Sequence, residues 1–305
     1  MNLRDLEYLV AVAEHRHFGK AAAACHVSQP TLSIQLKKLE SELGALLLER
    51  GPRMVVLTPA GEDIVVRARR ILADADAIRT AARRSGSPYS GGFRLGIFPT
   101  LAAYLLPHVV PVLHRRYPHL ELLLTEEKTA VLRHRINDGQ LDAVILALPT
   151  SDPLLATVPL FREDFLLAVP ADHPLAGSDG PVDPSVLADE PLLLLDEGHC
   201  LRDQVLQWCH STGNERFSGF RATSLETLRF MVASGVGVTL LPRLATAPPV
   251  GPCPTTRIIT FTDPAPHRDV GLVYRPTSPL ADLMPPIADL LRTLPPGLVR
   301  PLAEP

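Results

Sequence analysis

Hydrophobic positions near the start of the chain recur at helical spacing. Leu3, Leu6, Leu9, Val10 and Ala13 lie on one stripe, which predicts an amphipathic helix. The stretch FGKAAAACHV follows as a short alanine-rich helix whose small side chains permit close packing of a neighbour. Two short helices in succession indicate that the chain opens with a small helical domain.

A third helix, SQPTLSIQLKKLESELG, has clear signals at both ends. Ser28 can cap its start, Pro30 suits its first turn and Gly44 marks its end. Its leucines repeat at steps of 4, 3 and 4 along one face, which we expect to be buried. These leucines are Leu32, Leu36, Leu39 and Leu43.

The opposite face of this helix mixes amide, hydroxyl, ammonium and aliphatic groups. Such a mixture suits the DNA major groove, where an amide can pair with adenine and an aliphatic group can meet a thymine methyl. A short helix, a tight turn and a second helix also form the helix-turn-helix arrangement. For an isolated helix, the alternative is an ordinary solvated face.

Two short strands, LLLERGPRMVVLT, follow around Gly51-Pro52 and form a wing. They complete a winged helix-turn-helix domain over residues 1–58, in which the wing arginines lie where they could contact phosphates. The residues expected to contact a double-stranded DNA operator are Ser28, Gln29, Pro30, Thr31, Ser33, Ile34, Lys37, Lys38, Arg50 and Arg53.

A long linker helix is predicted over residues 59–84, where Thr58-Pro59 supplies a cap and a first-turn proline. Its apolar positions alternate in steps of four and three, the period of helices that pair. A second copy of the chain is the simplest partner, and a dimer supplies two recognition helices for a two-fold operator. The alternative is packing against its own chain. The expected pairing residues are Ile64, Ala68, Ile71, Ala75 and Ile78.

Strands and helices alternate after a glycine- and serine-rich hinge at residues 85–92. The alternation predicts an α/β domain of two lobes, with a cleft between them that suits a small ligand. We place lobe I at about residues 93–164 and 268–295, and lobe II at about 165–267. A loose, proline-rich tail is expected at 296–305.

Composition and charge narrow the class of protein. The chain has 305 residues, 46% hydrophobic and 21% charged, which suffices for two or three folded domains. Its net charge is −3, but the first 86 residues alone carry +3, which favours an anionic partner for that part. Charged residues interrupt the opening segment, and no uncharged run reaches the ~18 residues of a membrane span. We therefore expect a cytoplasmic protein with reduced thiols and no membrane contact.

Two of the four cysteines, Cys200 and Cys209, lie nine positions apart in GHCLRDQVLQWC, where the apolar spacing predicts a helix. Nine helical residues separate the Cα atoms by about 13.5 Å and place them on opposite sides, whereas a disulfide requires about 7 Å or less. Either the thiols never bond, or the helix unwinds when they do, as in a conformational switch. Cys200 is the better first reactant because a helix N-terminus stabilises a thiolate.

Two other roles for this cysteine pair stay open at this point. The thiols could be buried without function, or they could bind a metal together with His199 and His210. CxxC-type spacing is absent, however, and a helix separates the two pairs of ligands. We predict neither a metal nor any other cofactor.

Taken in order, the helix-turn-helix, wing, long helix, hinge and two-lobed α/β domain resemble a LysR-type transcriptional regulator. Several stretches are also similar to the peroxide-sensing OxyR subgroup, namely RDLEYLVAVAEHRHF, CHVSQPTLS, GHCLRDQ with its second cysteine at Cys209, RATSLETLR and GLVYRP. The front motifs specify only the broad family, whereas the cysteine motif discriminates the subgroup. The resemblance runs from Met1 to about Ala288 and gives Cys253 no role.

This resemblance implies a transcriptional regulator of antioxidant-defence genes that hydrogen peroxide activates. It also implies that the two-lobed α/β domain is a regulatory domain with a fold similar to that of periplasmic binding proteins. Cys200 would become a sulfenic acid and then form a reversible disulfide with Cys209. The resemblance also implies tetramers made of two dimers, contact with RNA polymerase, and a cellular thiol reductant of the glutaredoxin or thioredoxin type. The residues that match family positions near the peroxide pocket are Thr100, Thr129, His199 and Arg268.

Each of these four residues also has an ordinary structural alternative. Thr100 could cap a helix, Thr129 could be a helix-start residue, His199 a turn residue and Arg268 a surface loop residue. Other functions are open as well. A LysR-type regulator of an organic acid with inert cysteines keeps the DNA-binding part, whereas a thiol peroxidase or a free solute-binding protein leaves the helix-turn-helix without a purpose. We therefore expect a regulator and not an enzyme.

Overall fold

The computed structural model describes residues 1–51, 54–83, 89–150, 152–212, 217–251 and 253–302. The chain divides into two compact units, Met1–Gly86 with Arg135–Leu141, and Ser87–His134 with Asp142–Pro305. Arg53 of the predicted wing and residues 84–88, which include the first half of the predicted hinge, lie outside the described residues, as does the side chain of Arg50.

The first unit is a winged helix-turn-helix followed by a long helix, as predicted. Its elements are α1 (Leu3–His15), α2 (Phe18–Ala24), α3 (Gln29–Leu43), β1 (Leu48–Arg50), β2 (Val55–Leu57) and α4 (Pro59–Arg83). Ser28 caps α3, because its hydroxyl accepts a hydrogen bond from the backbone N–H of Thr31 at 3.2 Å. Gly44 ends the helix in the left-handed conformation, with φ of +66°. The wing strands pair antiparallel.

The buried face of α3 differs from the predicted one at its last turn. Leu32, Leu36 and Leu39 lie in the core of this unit as expected, but Leu43 is 38% exposed. The chain turns back at Gly44, so the residues that follow the helix fill the core beneath its end. Buried Glu40 occupies the α3 face there, and its carboxylate accepts hydrogen bonds from the backbone N–H groups of residues 47 and 48.

The apolar positions along α4, which form a seam on one side of the helix, lie in two different environments. Ala68 is buried and Ile64 packs against the core of the first unit, where α4 lies on α1. For these two positions the structure favours packing on their own chain, contrary to our expectation of a partner helix. Further along, Ala75 is half-buried, whereas Ile71 is 42% and Ile78 72% exposed. A second chain would therefore meet the later part of the seam.

The second unit is an α/β domain. Its elements are β3 (Gly91–Ile97), α5 (Pro99–Arg116), β4 (Leu120–Glu126), α6 (Thr129–Asn137), β5 (Ala143–Leu148), β6 (Ala156–Pro170), β7 (Leu192–Leu195), α7 (Cys200–Thr212), β8 (Phe217–Ala222), α8 (Leu225–Ala233), β9 (Thr239–Pro242), β10 (Thr256–Ile259), β11 (His267–Tyr274), α9 (Met284–Leu291) and β12 (Arg300–Pro301).

One mixed sheet connects most of these strands, in the order β10-β6-β11-β5-β3-β4, and β9 and β12 also pair with β6. The prediction of a parallel unit is right for β3, β4 and β5, whereas β11 runs antiparallel to both β5 and β6. The long β6 pairs with β11 as far as Asp164, and from Phe165 onward it pairs with β9 and then β10. Strands β7 and β8 form a separate parallel pair.

The ends of this unit are more ordered than the sequence predicts. Strand β3 begins at Gly91, inside the predicted hinge. The expectation of a loose tail is wrong for residues 300 and 301, because β12 pairs with β6 and the Arg300 guanidinium forms an ion pair with Asp164. Among the described residues, no helix is both long and apolar enough to cross a bilayer.

Candidate functional site

Helix α7 begins at Cys200 and contains both cysteines of the GHCLRDQVLQWC stretch, so the predicted helix is confirmed. The chain enters it through Gly198, whose φ of +85° lies in the region that favours glycine. None of the four cysteines forms a disulfide. Cys200 is half-buried at the first position of the helix, and Cys209 is completely buried toward its other end.

The pKa of the Cys200 thiol is raised, chiefly by burial. The positive charge of Arg268, the hydroxyl of Thr129 and the backbone N–H of Leu201 act in the opposite direction and stabilise the thiolate, while Asp203 adds to the rise. The structure shows that burial exceeds the stabilising groups, so most Cys200 is protonated at neutral pH.

Arg268 is 2% exposed and lies in β11, which excludes the alternative of a surface loop residue. Its Nε donates to Glu163 Oε2 at 2.8 Å, and its two terminal nitrogens donate to the hydroxyl and carbonyl oxygens of Thr100 at 3.1 and 3.0 Å. The guanidinium also lies over the ring of Phe98, 5.0 Å from its centroid. A cation held from three sides has a single orientation.

Glu163 was missed by the sequence analysis. It lies on β6 with no exposed surface, and its second carboxylate oxygen accepts a hydrogen bond from the backbone N–H of Leu244 at 2.9 Å. Thr100 is buried near the start of α5, and its hydroxyl bonds to Arg268 instead of capping the helix. The signal for Glu163 was a carboxylate within a long apolar strand, since such a group requires a buried partner.

Near Cys200, two buried polar atoms form no hydrogen bond of full geometry with the described atoms, although one of them is close enough to favour the Cys200 thiolate. These are the hydroxyl of Thr129, at the start of α6, and Nδ1 of His199, and both atoms are buried. Burial lowers the pKa of His199, and the charge of Lys128 lowers it further against the opposing effect of Asp196. His199 is therefore neutral at pH 7. Unpartnered buried groups of this kind can hold a small polar molecule.

Cys209 lies in an apolar environment, where burial raises the pKa of its thiol to about 11. Its neighbour Trp208 packs edge-on against the ring of His267, with centroids 5.8 Å apart. Both rings line a cavity of about 410 Å³ that also borders Arg268. Cys209 is thus unreactive while α7 is intact, as expected of a second reactant.

On the first unit, the predicted DNA-contacting residues of α3 share one side of the helix. The exposed ones are Ser28, Gln29, Pro30, Thr31, Ile34, Lys37 and Lys38, while Ser33 is half-buried. Ile34 is 64% exposed beside the exposed hydroxyl, amide and ammonium groups. This combination is compatible with the predicted base-contacting surface.

For the metal alternative, the described residues include no group of three or more histidine, cysteine or carboxylate side chains placed to hold an ion. His199, which precedes Cys200, lies at the opposite end of α7 from His210.

Comparisons with known proteins agree with this arrangement. A model of the bacterial regulatory helix-turn-helix protein, lysR family, matches residues 3–62, and one of the LysR substrate binding domain matches residues 86–295. The DNA-binding transcriptional dual regulator OxyR of Escherichia coli K12 is 49% identical over 292 residues, which cover 96% of this chain and 95% of that protein.

Solved structures are similar to the whole chain or to about two thirds of it. A full-length OxyR variant from Pseudomonas aeruginosa has a TM-score of 0.81 and 40% identity, and the match covers 100% of this chain and 98% of that one. Crystal structures of the reduced and oxidized forms of OxyR are 45% and 46% identical, each with a TM-score of 0.61. They cover 68% of this chain and 96% of their own.

Proposed function

Because this chain belongs to the LysR family of bacterial transcriptional regulators and to its peroxide-responsive OxyR subgroup, we propose that Cys200 is the sensor and Cys209 the thiol that completes the switch. The observation that carries this proposal is the position of Cys200. It lies at a helix start, where the Thr129 hydroxyl and the charge of the buried Arg268 favour its thiolate, and it directly follows His199, whose buried Nδ1 has no partner among the described atoms.

The first step is attack of the Cys200 thiolate on one oxygen of hydrogen peroxide. The O–O bond breaks, the sulfur keeps one oxygen as a sulfenic acid, and the other oxygen leaves as hydroxide, which takes up a proton to become water. Arg268 stabilises both the thiolate and the departing hydroxide. Thr129 and His199 supply hydrogen bonds that orient the peroxide, and Thr100, which is held by Arg268, lines the same pocket.

The second step closes the disulfide. The Cys209 sulfur attacks the sulfenic sulfur, an S–S bond forms, and the hydroxyl leaves as water. Two thiols and one peroxide thus become one disulfide and two waters. Because α7 holds the two residues at its far ends, it must unwind for this step, so the chemical event becomes a structural one. A glutaredoxin- or thioredoxin-type dithiol then reduces the disulfide.

The conformational change alters how the protein binds DNA. The exposed side of α3 contacts the operator, with the wing arginines Arg50 and Arg53 on phosphates. We further propose that Ile71, Ala75 and Ile78 of α4 pair chains, that two dimers form a tetramer, and that unwinding of α7 changes the spacing of the recognition helices and the contact with RNA polymerase. Exposure of Ile71 and Ile78 supports the pairing.

Mass spectrometry of peroxide-treated full-length protein tests the sensor assignment. We expect a Cys200–Cys209 disulfide with one peroxide consumed per chain and no continued turnover. Cys209→Ser should stop at a sulfenic acid that a dimedone probe traps, and Cys200→Ser should show neither product. Cys253→Ser, which removes a thiol outside the site, is the matched control and should react as the parent protein does. A disulfide to Cys253, or an unchanged peroxide response in Cys200→Ser, would overturn the assignment.

The DNA interface has its own test. Lys37→Ala and Lys38→Ala should each weaken operator binding and reduce the slope of log affinity against log salt by about 1, because each removes one phosphate contact and its released counterion. Binding is measured by fluorescence anisotropy between low and moderate salt. Arg257→Ala makes the same change of charge at an exposed position on β10 of the second unit, and its slope should equal that of the parent. Unchanged slopes for both lysine variants would remove this face from the interface.

A further inference from the structure

Lys128 connects the two helix starts that meet at the sensor thiol. It is the residue before α6, and its carbonyl oxygen accepts the backbone N–H groups of Val131 and Leu132, so its backbone forms the start of that helix. Its side chain extends to the turn before α7, where Nζ donates to the carbonyl oxygen of Glu197 at 2.8 Å.

The same side chain packs against Gly198. A Cβ placed on that glycine would lie 3.1 Å from Lys128 Cδ and 3.4 Å from Nζ, so the absence of a side chain at Gly198 is what admits the lysine. Glycine is therefore required at this position for two reasons: its positive φ and the close approach of the lysine side chain.

Lys128 and Thr129, at the start of α6, thus both lie against the segment that leads into α7. Lys128 holds residues 197 and 198, and the next residue along, Thr129, places its hydroxyl beside Cys200. The bond from Lys128 Nζ is charge-assisted and therefore stronger than a neutral one. It ties the turn before α7 to the start of α6, the two segments that carry Cys200 and Thr129.

We propose that Lys128 is a positioning residue for the oxidation of Cys200. By bonding the Glu197 carbonyl across Gly198, it fixes the position of the Cys200 thiol relative to the Thr129 hydroxyl. It touches neither sulfur nor peroxide and acts through the turn. This role rests on the proposed function, because it presumes that Cys200 is the atom that peroxide oxidises.

The first oxidation step can be measured alone in full-length protein that carries Cys209→Ser, by trapping the sulfenic acid with dimedone at increasing times. In this background Lys128→Met, which keeps the length of the side chain but removes its donor, should lower the second-order rate constant with hydrogen peroxide about tenfold, since small misplacements of reacting groups have large effects on rate. Lys128→Arg, which can still donate to the carbonyl, should recover most of the rate.

Two further measurements separate positioning from loss of structure. Lys128→Met should raise the pKa of the His199 ring, followed by NMR, because the lysine charge lowers it, whereas Lys128→Arg should leave it low. Arg221→Met is the matched control. It removes another cation that pairs with Glu197, at 3.6 Å from the side-chain carboxylate, and leaves the backbone carbonyl that Lys128 binds unchanged, so it should oxidise at the parental rate.

The outcomes distinguish this role from the sensor assignment itself. If the parent forms no sulfenic acid at Cys200, the proposed function fails. If the parent oxidises normally and Lys128→Met is equally fast, or if Lys128→Arg is as slow as Lys128→Met, the positioning role is wrong while the sensor assignment stands.

Discussion

Replacing Arg268 with methionine is expected to destabilise the protein by about 3–5 kcal/mol, the usual result of breaking a buried ion pair, and to slow oxidation of Cys200 by about 100-fold. The stability effect arises because the Glu163 carboxylate has no exposed surface and would be left without its cation, 2.7 Å away in the intact pair. The rate effect arises because the same guanidinium stabilises the Cys200 thiolate and the departing hydroxide.

A double variant separates these two consequences. Arg268→Met combined with Glu163→Met removes both buried charges, so most of the lost stability should return. The oxidation rate should stay low, because no cation faces the sulfur. Stability is measured by urea unfolding of the reduced protein, and rate by dimedone trapping. Recovery of the rate together with the stability would show that Arg268 has only a structural role.

Oxidation is expected to remove the hydrogen-exchange protection of α7. The helix holds the two cysteine Cα atoms about 13.5 Å apart, and a disulfide brings them within about 7 Å, so the hydrogen bonds between them cannot survive closure. Backbone amides of residues 204–209 should exchange at least ~100-fold faster in the disulfide form than in the reduced form, since they no longer require rare opening events. The measurement is hydrogen-exchange mass spectrometry on reduced and peroxide-treated protein.

Two internal references accompany this measurement. Helix α8, Leu225–Ala233, should stay protected in both forms. Cys209→Ser treated with peroxide should keep α7 protected, because a sulfenic acid alone does not require the ends to meet. If a protein shown by mass spectrometry to contain the Cys200–Cys209 bond still protects α7, the geometric basis of the switch is wrong.

Local sequence signals were sufficient to predict the helices whose ends and spacing depend on residues close together in the chain. Ser28, Pro30 and Gly44 define α3 because capping and left-handed termination depend on neighbours in sequence. The helix that joins Cys200 to Cys209 was predicted from apolar spacing for the same reason. The prediction that two thiols in one short helix cannot bond while it is intact follows from helix geometry alone.

Patterns that depend on a neighbour in space were less reliable. Period 3.5 along α4 correctly identified an apolar seam, but periodicity does not say what covers it, and Ile64 and Ala68 pack on their own unit. The tail looked loose because prolines and few strand-forming residues occupy it, yet the edge of β6 accepts residues 300 and 301. In both cases the partner surface decided the outcome.

The sequence by itself determined the order of the elements, the helix-turn-helix, and the spacing that makes a Cys200–Cys209 bond incompatible with an intact helix, because each depends on residues close together in the chain. Only the tertiary structure decided that Glu163 holds Arg268, that Lys128 bonds the turn before α7, and that burial outweighs the groups that stabilise the Cys200 thiolate. The first pair is 105 residues apart in sequence and the second 69. Burial and pairing of charges depend on what folding brings together, which no local pattern records.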